Sequence, residues 1–235
     1  MKKLLLVFLV FIPTITFAGN NNYDALLREA VGRCDLDGIS YSLNKGAKID
    51  STVIGEIFSK SMRVNDCTAT FEALLGGGLD PNVRLKDGST PSIKLFTNIM
   101  VEGNIVRIFE KAGARVTDNV IKVKSGQWGR PGWTPLMIIV NDSGSEVDRS
   151  IDNPGAYLAE TIRGNWNWVL VHSKMNSQNF DGNTALHLAA ERGYEAIIKS
   201  LLEAGADKGI KNRAGETAAD IAVRSGYSKL LAYLN

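Results

Sequence analysis

The apolar positions of this chain fall into two regimes. The first is a single block: Lys2 and Lys3, then an unbroken apolar run from Leu4 to Ile12, then Pro13, then Thr16-Phe17-Ala18 ahead of Gly19. A basic start, a short apolar middle and small residues at the third and first positions before a cut are the layout of a secretory signal peptide. Residues 1–18 are therefore expected to be removed before Gly19. The run is less than half of the roughly 20 apolar residues a spanning helix needs, and the residue after the cut is not the cysteine of a lipid-anchored form. In the second regime, residues 19–235, apolar residues recur in short helical clusters separated by glycine-bearing turns. No second long apolar run is present, which predicts no membrane insertion.

The clusters repeat. Residues 179–201 laid over 212–234, an offset of 33, share eight identities: Asn179/Asn212, Gly182/Gly215, Thr184/Thr217, Ala185/Ala218, Ala189/Ala222, Gly193/Gly226, Tyr194/Tyr227 and Leu201/Leu234. Ordinary residue usage would give about one or two by chance. Each piece has a physical reason. Gly182 permits a tight turn, Thr184 is placed as a helix N-cap, Ala189 and Ala190 let helices approach closely, and Gly205 ends the second helix in a left-handed cap.

Asp181-Gly182-Asn183-Thr184-Ala185-Leu186-His187-Leu188-Ala189-Ala190 resembles the turn and first helix of an ankyrin repeat, with Ala185 where that family usually has proline. Leu201-Leu202-Glu203-Ala204-Gly205-Ala206-Asp207 resembles the end of its second helix. The period agrees. Upstream, Gly46-Ala47, Gly78-Leu79 and Gly113-Ala114 resemble the same helix ends, while Asp87-Gly88-Ser89-Thr90-Pro91 and Gly132-Trp133-Thr134-Pro135-Leu136 resemble the turn and N-cap. The stretch from Asp24 to Asp50 lacks that turn, as a capping repeat would. The resemblance implies an all-α solenoid of about six helix-turn-helix repeats with β-turn tips, covering most of residues 22–235.

Two intervals are too long. Gly113 to Thr134 has 9 residues more than the interval seen at Gly78–Thr90 and Gly205–Thr217, and Thr134 to Thr184 exceeds one period by 17. Insertions are expected at 115–131 and roughly 141–160, within an irregular stretch of about 115–172. Arg163-Gly164-Asn165-Trp166 aligns with Arg192-Gly193-Tyr194-Glu195, but then the following helix is one turn short. The register between Asn141 and His172 stays open.

The irregular stretch holds all four tryptophans, Trp128, Trp133, Trp166 and Trp168. Trp166 and Trp168, beside Val169-Leu170-Val171, are expected in the core, because large aromatics are mostly buried. Trp133 stands just before an N-cap threonine, like Ser89, Asn183 and Glu216. The resemblance places that position at the tip of the turn on the concave face. Either a core or a contact role suits Trp133, since tryptophan is enriched among interface hot spots. The candidate partner-binding residues are Trp133, Arg130, Lys86, Asp87, Phe180, Asp181, Asn183, Arg213 and Glu216; Pro131 is a turn neighbour of Trp133.

Composition narrows the function classes. Without Lys2 and Lys3 the chain has 25 basic and 25 acidic residues, so it lacks the electrostatic footprint of a nucleic-acid binder. The two cysteines, Cys34 and Cys67, fall 12 and 11 residues before Gly46 and Gly78, in the turns between the helices of the first two repeats. An exported chain with an even cysteine count predicts a disulfide stapling the capping repeat; the alternative is two buried thiols.

Chemistry is sparse. His187 matches the ankyrin Thr-x-x-His position, which implies a structural ring that hydrogen-bonds backbone between repeats. His172 has no evident partner. There is no Gly-x-Ser-x-Gly elbow, His-Glu-x-x-His or Cys-x-x-Cys. Gly76-Gly77-Gly78 lacks the lysine of a P-loop and reads as a helix stop. Asp142, Glu146, Asp148 and Asp152 read as an acidic, solvated loop; they fit no EF-hand spacing. The expectation is a non-catalytic periplasmic or secreted protein, monomeric when free, without cofactor or metal. It is expected to bind another protein, for instance as an immunity protein neutralising a toxin or effector enzyme. An adaptor for an envelope enzyme, or an enzyme with its site in 115–172, are the alternatives.

Overall fold

The computed structural model describes residues 22–50, 52–53, 67–85, 89–96, 101, 103–115, 132–155 and 159–235. The segment expected to be a signal peptide lies outside them, as do nearly all of the 115–131 insertion and Trp128. Every regular element among the described residues is helical. Helix α1 (Tyr23–Arg33) pairs with α2 (Leu36–Asn44), and α3 (Thr68–Gly76) follows. Next come α4 (Pro91–Phe96), α5 (Gly103–Lys111), α6 (Pro135–Asp142), α7 (Gly144–Asp152) and α8 (Ala159–His172). Helices α9 (Ala185–Arg192) and α10 (Glu195–Glu203) form the most regular pair. The last unit is α11 (Ala218–Arg224), a 3₁₀ turn at Ser228–Leu230 and α12 (Leu231–Leu234).

The helix boundaries follow from capping chemistry. Thr90 Oγ1 accepts from the Ile93 amide at 3.1 Å and Thr134 Oγ1 from the Met137 amide at 3.2 Å. Thr217 and Asp220 cap each other's backbone amides at 2.8 and 3.2 Å, a reciprocal capping box. The second helices end where sequence placed the stops, with Gly46, Gly78, Gly113 and Gly205 all at positive φ. The Gly76–Gly78 run is such a stop.

One continuous core runs from Leu27 to Leu234. First helices stack in the order α6, α9, α11, and α4 meets α6 through Ile93 and Ile138. The second-helix row is different: α2 packs on α3, α3 on α5, α5 on α8, α8 on α7, and α7 on α10. The chain therefore doubles back, and α8 stands between the second helices of the units before and after it. Ile162, Trp166 and Val169 of α8 are buried in the gap. Asn165 Nδ2 donates to the Val101 carbonyl at 2.6 Å, Trp168 Nε1 donates to Glu110 on α5, and Arg163 reaches the Ser150 carbonyl of α7 at 3.4 Å.

This arrangement corrects two expectations. Residues 141–152 are not an insertion or a loop: they are the end of α6, the turn at Ser143 and the second helix α7, and the additional material is 153–172. Nor does Arg163-Gly164-Asn165-Trp166 match Arg192-Gly193-Tyr194-Glu195, because Gly164 lies inside α8 whereas Gly193 caps α9 at φ +76. Gly144 takes the structural place of Gly193 instead. The Tyr194 ring lies against Gly144 as the Tyr227 ring lies against Gly193, and a β-carbon at either glycine would collide with the ring. The carboxylates of this stretch are helical too. Asp148 on α7 accepts from the Ile197 amide at 3.0 Å and so caps the first turn of α10. Cys34 and Cys67 are joined, with Cα atoms 5.4 Å apart, which fixes the α1–α2 turn to the start of α3.

Candidate functional site

Consecutive repeats present their turns side by side, and a small set of side chains builds each turn. Asn179 Oδ1 accepts from the amides of Asp181 and Asn183 at 3.0 and 2.9 Å; Asn212 Oδ1 does the same for Ala214 and Glu216 at 3.0 and 2.9 Å. These are Asx turns, in which a short amide side chain mimics a backbone turn. The turns are also zipped to each other. The Arg213 amide donates to the Asp181 carbonyl at 2.9 Å, and a β-carbon on Gly182 would lie 2.7 Å from the Arg213 nitrogen. Gly132 meets Phe180 in the same way, with its missing β-carbon 2.7 Å from the Phe180 nitrogen. Only glycine allows the backbones this close.

His187 ties the turns to the helices behind them. Its Nδ1 accepts from the Thr184 amide at 3.1 Å and lies 2.8 Å from Thr184 Oγ1. With Nδ1 accepting, the proton is on Nε2, which donates across to the Glu216 carbonyl of the next repeat at 3.2 Å. Burial lowers the pKa of the ring, and the hydrogen bonds to the Glu216 and Ile210 carbonyls oppose the shift. The structural role implied by the resemblance is what the geometry shows.

The candidate contact residues divide into groups. Phe180 is half exposed, 50%, and Asp181 and Arg213 are exposed beside it. Their side chains project from turns whose conformation Asn179, Gly182 and Asn212 maintain. Asn183 and Glu216 are half-buried and belong to the framework. Asn183 Oδ1 accepts from Asn212 Nδ2 at 3.0 Å, and Glu216 accepts from Asn212 Nδ2 at 3.2 Å and pairs with Arg224 at 2.8 Å. The Asn212 hydrogen bond, then the Arg224 guanidinium, hold the Glu216 carboxyl below its usual range. Trp133 is half-buried against Ile93 and Ile138. Lys86, Asp87, Arg130 and Pro131 lie outside the described residues. Trp166 is 1% exposed, in the core, and Trp168 packs against the core with its ring stacked on His172 at 4.1 Å.

Five large apolar side chains exposed among the described residues escaped the sequence reading, Leu36, Tyr41 and Val223 among them. Val83 is 37% exposed and Val171 is 79% exposed. Within the Val169-Leu170-Val171 run, helical periodicity buries Val169 and turns Val171 outward.

Possible chemical groups are dispersed. His172, at the exposed end of α8, places Nδ1 2.7 Å from the Trp168 carbonyl. Glu146 pairs with Arg149, and desolvation raises the pKa of Asp148 while its bonds to the Ile197 and Ala196 amides oppose the rise. Among the described residues no three of histidine, cysteine, aspartate and glutamate are grouped to hold a metal ion, and no helix is long and apolar enough to cross a membrane.

Residues 163–235 match the family model for ankyrin repeats, in three copies. The chain is 42% identical over 64 residues to the NAD-capped RNA hydrolase NUDT12 of Homo sapiens, covering 26% of this chain and 14% of the hydrolase. It is 29% identical over 136 residues to Synphilin-1 of Mus musculus, covering 53% of this chain and 14% of Synphilin-1. The similarity thus spans a small part of these larger proteins. The crystal structure of the ankyrin repeat protein EF0377 superposes with a TM-score of 0.61 at 21% identity, covering 90% of this chain and 98% of that one. Ankyrin repeats point to a protein–protein interaction module, and the fold is typically non-catalytic. Residues 163–235 are thus ankyrin repeats, and the helical solenoid that continues them upstream has the fold of an ankyrin repeat protein.

Proposed function

We propose that the chain is an exported, non-catalytic protein that binds a partner protein through its turn tips, as an inhibitor or immunity protein for a toxin-like enzyme. The observation that carries the reading is the exposed cluster of Phe180, Asp181 and Arg213 on turns built by other residues. An apolar ring flanked by opposite charges, on a scaffold that does not need it, has the composition of an interface anchor. A solenoid offers such side chains along an extended surface, where they change without unfolding the core. The signal layout at residues 1–18 and the neutral remainder support an exported protein that recognises shape and local charge rather than nucleic acid.

The test is capture by tagged residues 19–235 from periplasmic extract and from culture secretions, identified by mass spectrometry. A Phe180→Ala, Arg213→Glu variant runs in parallel. The expected result is one stoichiometric toxin-like enzyme retained by the native bait, with affinity reduced at least ~30-fold in the variant, about 2 kcal/mol for a hot spot. The variant's melting transition should be nearly unchanged. A resident envelope protein as the retained species would replace the inhibitor reading with an adaptor. Equal capture by both baits would refute the assignment of the tips.

A further inference from the structure

The two cysteines occupy chemically unequal places. Cys34 closes α1 in the left-handed region, φ 55 and ψ 36, and is the only residue other than glycine at positive φ among the described residues. Its counterpart in the regular unit is Gly193, which closes α9 in the same way: the Cys34 amide donates to the Ala30 and Val31 carbonyls, the Gly193 amide to those of Ala189 and Ala190. A residue with a β-carbon is disfavoured there. Backbone preference therefore argues against cysteine at 34, and its sulfur is what the position uses.

Cys34 is only partly buried, whereas Cys67 is 6% exposed and stands at the N-cap of α3. The end of a helix at which the amides point outward stabilises a thiolate. In thiol–disulfide exchange the accessible sulfur is attacked, and the sulfur that is the more stable thiolate leaves faster. Both criteria select the same direction: attack at Cys34, departure of Cys67.

Among the described residues, the α1–α2 unit packs on α3. Residues 22–50 dock through α2 on α3. Leu43 and Ile49 close over Gly77, where an added β-carbon would be 2.7 Å from Leu43 Cδ1, and Arg28 donates to Thr52 at 3.1 Å. In a linear array each unit is stabilised by its own packing and by nearest-neighbour interfaces, so a unit with one interface opens first. The disulfide spans a sequence separation of 33 across that interface.

We infer that Cys34–Cys67 is a reversible, thiol-sensitive latch on the first repeat. A dithiol reductant, as its thiolate, bonds to Cys34 Sγ while the disulfide bond breaks and its electron pair leaves on Cys67 Sγ at the α3 N-terminus. The reductant's second thiolate then attacks its own sulfur in the mixed disulfide and expels Cys34 as a thiolate. Two electrons and two protons pass to the protein, and the reductant departs as a disulfide. The reduced chain undocks α1 and α2 and uncovers the apolar side of α3, while residues 132–235 remain folded.

Two measurements on the intact chain test this. In hydrogen exchange before and after dithiothreitol, protection of α1 and α2 should fall at least ~100-fold. Loop closure of about this length corresponds to a several-hundred-fold change in opening. Protection of α9, α10 and α11 should be unchanged. Unaltered protection of α1 and α2, or equal loss in α9–α11, would overturn the latch. In the second, the oxidised chain meets millimolar glutathione briefly and is quenched with iodoacetamide. Glutathione is expected on Cys34 and the alkyl group on Cys67. The opposite pattern, or no reaction, would overturn the assigned roles.

Discussion

Replacing Trp166 by alanine tests whether α8 is a structural spacer or an appendage. Trp166 is 1% exposed and is the largest fully buried side chain among the described residues. It lies between Asn165, bonded to Val101, and Trp168, bonded to Glu110, on the helix that separates α5 from α7. Removing a buried tryptophan ring costs about 3–5 kcal/mol in transfer and cavity terms. For a chain of this size that is a fall in melting temperature of roughly 6–20 °C. The indole nitrogen sharpens the prediction. Trp166 Nε1 is buried with no hydrogen-bond partner among the described residues, so Trp166→Phe removes an unpaired donor along with part of the ring. An unpaired buried donor costs about 1–3 kcal/mol, which offsets much of the lost packing. Trp166→Phe should therefore stay within about 1.5 kcal/mol of the parent chain. The assay is denaturant unfolding followed by far-ultraviolet circular dichroism, with hydrogen exchange at α5, α7 and α8 to show where protection is lost. A Trp166→Ala loss below about 1 kcal/mol, with α5 and α7 still protected, would refute the spacer role and leave α8 as decoration.

Glycine substitutions should have opposite signs at two sites. Gly164 is exposed within α8 with nothing within 4 Å of an added β-carbon, so Gly164→Ala should stabilise by about 0.5–1 kcal/mol in thermal melting. Gly193→Ala should destabilise by more than that, because φ is +76 and the β-carbon would sit 2.5 Å from the Tyr227 ring. For His187, the folded pKa lies below that of the unfolded chain. The unfolded state therefore takes up the proton first, and stability falls as pH drops below about 6.5. His187→Gln should flatten that limb of a pH series of melting curves, and a limb unchanged by the substitution would contradict it. Glu195 is held at about 2 by Lys199, then by the Tyr233 hydroxyl and Lys229. Its contribution is present above the ordinary carboxylate range and is lost as pH falls through about 4.5 towards 2. Glu195→Gln should reduce this acid sensitivity in the last repeat, by an amount that shrinks with added salt.

The sequence by itself determined everything that is local or periodic. The 33-residue offset, the threonine N-caps at Thr90, Thr134, Thr184 and Thr217 and the glycine stops from Gly46 to Gly205 were all legible, and the inter-repeat role of His187 was implied by the family resemblance. Each depends on residue types at fixed spacing along the chain. The proximity of Cys34 and Cys67 was legible for the same reason, since both sit at equivalent points of adjacent repeats. The exposure of Phe180, Asp181 and Arg213 at the turns followed from the same register. Tertiary structure decided the rest. That α8 lies between α5 and α7 depends on pairings such as Asn165 with Val101 and Trp168 with Glu110, 64 and 58 residues apart, which follow no period. Asp148 looked like a solvated carboxylate until packing brought it to the Ile197 amide of α10, and the packing of the half-buried Trp133 against Ile93 and Ile138 is likewise a tertiary contact. Local sequence sets where each helix starts and stops. Which helices become neighbours, where one is added to the row, is set by the shape of the gap that their buried side chains must fill.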